Sequence, residues 1–184
     1  MRGLTGLLVL VLIGACLGGC TTGEPPAASS PVVTPPSTVV SETPQWTSEQ
    51  QAAIDAVQRY LEVWTYISQN VDEADWDAIY DVAIDPTADE QIQAWKLWAD
   101  NGWHLVGSPV FVPDLMTLGA MDDKGHRYHL HGCFVIEDSY IADAQGVIVP
   151  SDDRIERAAI IYTVIRTPDN KYSVFENKLE DKVC

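Results

Sequence analysis

The sequence predicts an α+β domain in which N-terminal helices pack on an antiparallel sheet. Three observations predict it. Apolar residues recur every three or four positions between Ala53 and Trp98, the spacing of one buried helix face. From Trp103 onward the period falls to two, as in half-buried strands. Asp122-Asp123-Lys124-Gly125 and Pro168-Asp169-Asn170-Lys171 supply turn chemistry for two hairpins, and helices followed by antiparallel strands is α+β order.

The chain begins with a different kind of segment. Arg2 is a minimal positive region, Leu4 to Leu17 is almost wholly apolar, and Leu17-Gly18-Gly19-Cys20 sets small residues directly before a cysteine. This is the shape of a bacterial lipoprotein signal peptide, so residues 1–19 are predicted to be removed and Cys20 to carry the lipid. A bilayer span needs about 20 apolar residues, and this run is shorter and broken by Gly14, Gly18 and Gly19. Each buried methylene of an acyl chain contributes about 0.8 kcal/mol, and two chains anchor far better than one. The mature protein is therefore expected on the outer, extracytoplasmic face of the cell membrane, with the bilayer as its first partner. Residues 20–45 are predicted to be the lipidated cysteine and a linker. Thr21 to Pro44 holds six prolines, many Ser and Thr, and only Glu24 and Glu42 as charges. Such a composition buries no core and extends at about 3.1 Å per residue. Residues 46–184 then have the length and composition of one domain.

Within that domain, Thr47-Ser48-Glu49-Gln50 reads as a capping box, and the apolar stripe Ala53, Ile54, Val57, Tyr60, Leu61, Trp64, Ile67 carries the first helix to about Asn70. A second helix is predicted from Glu73 to Ala83, with Asp72 as its cap and Pro86 as its stop. Thr87-x-x-Glu90 reads as another capping box, opening a third helix to about Asn101 that buries Ile92, Trp95 and Trp98 and ends at Gly102. Strands are predicted at Trp103–Val112, His126–Ala142 (long, with a bend or bulge), Gly146–Val149, Arg157–Thr167 and Tyr172–Asn177.

The net charge is −16, and it becomes −17 once the signal, with one base and no acid, is gone. That excludes a nucleic-acid binder, which neutralises phosphates with Lys and Arg, and disfavours lying flat on anionic lipid. Cys16 leaves with the signal and Cys20 is acylated. Cys133 and Cys184 remain, an even pair in an oxidising compartment, and are predicted to be bonded. His129, His131 and Cys133 alternate on one strand face, with His126 close by. With Cys133 in a disulfide no thiolate is left for zinc or copper, so no metal site is predicted. Acids on the helices (Asp55, Asp77, Asp81) fall off the apolar stripes and read as solvated. The acidic clusters Asp72/Glu73/Asp75/Asp77 and Asp152/Asp153 lack the glycine and final glutamate of a calcium loop. There is no Gly-x-Ser-x-Gly, phosphate-cradling loop or zinc-protease helix.

The chain resembles the nuclear-transport-factor-2-like family, and more narrowly the lipoproteins of actinobacterial type that carry such a domain after a Pro/Thr/Ser linker. The resemblance rests on Gln51-Ala52-Ala53-Ile54 continuing through Tyr60-Leu61-Glu62-Val63-Trp64, then Trp76, Val82-Ala83, Cys133, Asp143-Ala144-Gln145-Gly146 and a cysteine at the end. One departure is Val135, where the family pattern carries an Asp two residues after the mid-sheet cysteine. The resemblance implies a strongly curved antiparallel sheet of about four to six strands, folded with the helices into a cone. It implies a pocket between helices and concave sheet face, with Tyr60, Trp64, Trp76, Tyr80, Trp95 and His131 as its candidate lining, although aromatics at helical spacing more often pack a core than wall a ligand site. It also implies homodimers through the outer sheet face. The expected function is a tethered, non-enzymatic domain binding a small apolar ligand or another envelope protein, with no cofactor. Two alternatives stand beside it: an isomerase- or dehydratase-like enzyme using a buried acid with Tyr or His, and a metal-binding envelope protein.

Overall fold

Thr47 opens the first helix as the capping box requires. Its Oγ1 accepts from the Gln50 N–H (3.3 Å), and Gln50 Oε1 accepts from the Thr47 N–H (2.9 Å). The computed structural model describes residues 45–122, 125–150 and 155–184. The signal segment, Cys20, the linker to Pro44, part of the Asp122–Gly125 turn and the Asp152/Asp153 pair lie outside the described residues. Helix α1 (Ser48–Gln69) buries Ala53, Ile54, Val57, Tyr60, Leu61 and Ile67, the stripe read from the sequence. Asn70 ends it, with its side-chain Nδ2 donating to the Tyr66 carbonyl (2.8 Å).

The predicted second helix is corrected to a 3-10 helix over Trp76–Asp81, and its cap is Asp75 rather than Asp72. The cause is competition for backbone groups. The Ile84 N–H donates to Val174 O and the Val174 N–H to Val82 O, both at 2.9 Å, so the sheet claims residues 82–84. Helix α2 (Thr87–Asn101) has Pro86 at its N-cap with no side-chain cap. The predicted capping box fails because the Thr87 hydroxyl turns into the sheet and donates to Phe175 O (2.7 Å). Gly102 closes α2 at φ 64°, a left-handed conformation in which a side chain is strained.

Strands β1 (His104–Val106) and β2 (Val110–Asp122) replace the single strand predicted at Trp103–Val112. β2 continues through Pro113 and Gly119 by breaking register between Pro113 and Leu115 and again between Leu118 and Met121. The long strand predicted at His126–Ala142 divides into β3 (Gly125–Val135) and β4 (Tyr140–Ala142) across a turn in which the Ser139 N–H donates to Ile136 O. Gly146–Val149 supplies only one bridge, Ala142 to Ile148. β5 (Arg157–Arg166) and β6 (Tyr172–Leu179) form the second predicted hairpin, with Asn170 at φ 68° in its turn.

The main sheet is antiparallel and curved, in the order β2-β3-β5-β6, while β1 and β4 pair separately. Val82–Ile84 runs beside β6, and among the described residues no strand pairs with the outer edge of β2. The core lies between helices and sheet, centred on Val57, Ile67, Ile79, Trp95, Leu130, Val164 and Val174. Gly132 belongs to this packing: a Cβ there would meet the Phe111 ring at 2.5 Å, and its absence lets that ring reach Tyr162. The molecule is thus α+β, helices on one face of a curved antiparallel sheet.

Candidate functional site

The space between helices and sheet is filled by the chain's own side chains. Tyr60 of α1 meets Tyr162 of β5 edge-on at 6.1 Å, and Phe111 of β2 meets the same ring at 5.0 Å. Trp95 is 1% exposed, and its indole Nε1 donates to Ser68 Oγ at 2.8 Å. Burial pushes the Tyr60 and Tyr162 phenols above the ordinary tyrosine range, helped by the charge of Glu90 and by the neighbouring phenol respectively. No carboxylate among the described residues is buried. Asp55 is half-buried and accepts from Gln51 Nε2 (2.8 Å), and Asp77 and Asp81 face water. The interior therefore offers no desolvated acid to move a proton.

The six expected pocket residues do not converge on one cavity. Tyr60 and Trp95 are core. Trp64 is half-buried; its indole donates to Gln91 Oε1 (2.6 Å), and its ring meets Trp98 edge-on at 6.5 Å. The Trp76 indole donates to Val71 O (2.8 Å). Tyr80 is exposed and donates to Asp89, whose hydrogen bond above all pushes the phenol up to about 12. His131 is corrected to the opposite face of the sheet. Its neighbour Leu130 points into the core, and alternation turns His131 outward.

That outer face carries a polar row. His129 Nδ1 lies 3.1 Å from Thr163 Oγ1, and the Thr163 hydroxyl donates to Glu176 Oε2 at 3.4 Å. Further along the same strand, Cys133 is bonded to Cys184 with the two Cα atoms 5.6 Å apart, so its sulfur is committed to the bridge. His126 is exposed near the start of β3. Among the described residues, no group of three His, Cys, Asp or Glu is placed to hold a metal ion. No described helix is long and apolar enough to cross a membrane.

Among the described residues, two open grooves stand out. One, of about 440 Å³, runs between α1 and the start of β2, past Leu61, Glu62, Tyr66 and Phe111. The other, of about 400 Å³, lies where α1 and α2 end, beside Asp72, Glu73, Trp103 and His104. The first was missed by sequence reasoning, which followed only the strongest apolar stripe of α1. The available signal was Tyr66, an aromatic off that stripe, which the structure leaves 61% exposed.

No protein-family model and no characterised protein matches this sequence. Solved structures do. The intermembrane space region of the chloroplast protein ARC6 is similar over 74% of this chain and 98% of its own, at 8% identity and a TM-score of 0.50. A protein from Catenulispora acidiphila is similar over 72% and 93%, at 10% identity and 0.40. Aln2 from a Streptomyces species is similar over 69% and 88%, at 12% identity and 0.39. The likeness to the ARC6 region is one of fold alone.

Proposed function

We propose that this chain is a membrane-tethered cell-envelope lipoprotein, acylated at Cys20, whose nuclear-transport-factor-2-like domain is a binding module and not an enzyme. The observation that carries the binding role is the filled interior. Tyr60, Phe111, Trp95 and Tyr162 occupy the place of a cone pocket, and no described carboxylate is desolvated there. Recognition then belongs to the surface, and a protein partner fits the geometry better than a small apolar ligand held within. The anchoring role rests on Leu17-Gly18-Gly19-Cys20 and on the proline-rich stretch that follows it.

The test is metabolic labelling of the full-length protein with radiolabelled palmitate in a bacterial host. Label in the membrane fraction that disappears in Cys20→Ala is the expected result. An unlabelled, uncleaved chain recovered from the cytosol overturns the anchoring. Turnover of a small carbonyl or hydroxyl substrate by the purified protein overturns the binding role.

A further inference from the structure

The groove between α1 and β2 has the features of a peptide seat. Its helical wall is formed at spacings of three and four residues by Gln58, Leu61, Glu62, Thr65 and Tyr66, and Phe111 of β2 faces them. Leu61 and Phe111 are buried and form an apolar floor. Among the described residues, the side chains of Gln58, Glu62, Thr65 and Tyr66 face solvent and make no hydrogen bond within the chain. Other polar side chains of the same helix are engaged: Gln51 with Asp55, and Gln69, also in the groove's lining, with Gly107 O at 2.8 Å. Solvent-facing polar side chains not engaged by the fold, above an apolar floor, suit a main chain, which brings its own N–H and C=O groups.

Length and charge narrow the occupant. The wall from Gln58 to Gln69 spans about 16 Å at 1.5 Å per residue. That length accommodates about five residues of extended chain. Glu62 is the one charged residue in the groove's lining, which holds no Lys or Arg, and the whole chain is at −16. A second copy is a poor fit. Two acidic molecules repel, and Pro113 with the two register breaks blunts the β2 edge against strand pairing.

We propose that the α1–β2 groove binds an extended, basic peptide segment of a partner protein. An apolar side chain rests on Leu61 and Phe111, a Lys or Arg pairs with Glu62, and Gln58 and Thr65 bond the peptide backbone. This rests on the binding-module reading above, and not on the anchor.

The experiment uses the full-length protein in detergent and fluorescein-labelled hexapeptides, read by anisotropy. The probes are alternating Lys-Val, alternating Lys-Ser of the same charge, and alternating Glu-Val. Lys-Val is expected to bind at least fivefold more tightly than either control. Glu62→Lys and Tyr66→Ala, both at the groove's solvent-facing rim, are expected to weaken it at least fivefold with unchanged circular dichroism. Asp72→Asn with Glu73→Gln, at the other groove, is expected to leave it unchanged. Three results overturn the proposal: no binding of Lys-Val, equal affinity for Lys-Ser, or indifference to both α1 variants. Self-association that depends on Tyr66 also overturns it, since a second copy is then the occupant. Palmitate labelling and turnover assays report on the earlier reading whether or not the peptide binds, so the two fail separately.

Discussion

Trp95 and Ser68 form a buried pair in which the indole N–H donates to the serine hydroxyl oxygen at 2.8 Å. Removing the acceptor leaves a donor in the core with nothing to bond, at about 1–3 kcal/mol. Ser68→Ala is therefore expected to destabilise the fold by that amount, read from urea unfolding followed by tryptophan fluorescence with an unchanged slope, and Trp95→Ala by about 3–5 kcal/mol. The buried phenols of Tyr60 and Tyr162, both in the core, give a second expectation. Burial raises the folded-state values of Tyr60 and Tyr162, so the unfolded chain ionises first as pH climbs. Their contribution is complete below the unfolded tyrosine value of about 10 and is lost above it. A pH titration of absorbance near 295 nm should show these two tyrosinates appearing only with loss of near-ultraviolet circular dichroism. Ionisation of all seven tyrosines in a folded protein would refute this.

Among the elements, the Cys133–Cys184 bridge has the largest calculable effect. It joins β3 to residues beyond β6, across a sequence separation of 51. Closing a loop of that size restricts the unfolded chain by about 4 kcal/mol in the chain-entropy model. The double variant Cys133→Ala/Cys184→Ala is expected to lose up to that much stability. Thiol titration of the denatured, unreduced mature protein should find no free group at either position. Elements whose bonds are local were legible in the sequence: α1 with its capping box, the Gly102 stop, and the β5–β6 hairpin with its Pro168–Lys171 turn. Elements decided by distant partners were not. The Thr87 hydroxyl and the Val82–Ile84 backbone answer to Phe175 and Val174, about 90 residues further along the chain. Pro113, Asp114 and Gly119 each argue locally against a strand, and only pairing with β3 overrides them.

For the molecule as a whole, the candidate site divides in the same way. Aromatics at helical spacing predicted a buried cluster but not whether it walls a pocket or fills one, because periodicity reports which side faces inward and not how much volume is left. The answer lay in Gly132, which admits the Phe111 ring against Tyr162. His131 shows the related limit: alternation ties it to His129 and Cys133, yet only the buried Leu130 says which face is inside. The α1–β2 groove depends on α1 lying beside Ser108–Phe111, a placement that the period of neither segment reports.

One contact near the N-terminal end of the domain has a mechanical meaning. Glu49, in the first turn of α1, is held by Arg166 Nη1 at 2.7 Å and by the Tyr128 hydroxyl at 3.2 Å. Those two residues belong to β5 and β3, the inner pair of the four-stranded sheet. A pull entering ahead of Ser48 thus loads first an ion pair whose side chains are 32% and 59% exposed, a weak link expected to part before any ladder of the sheet.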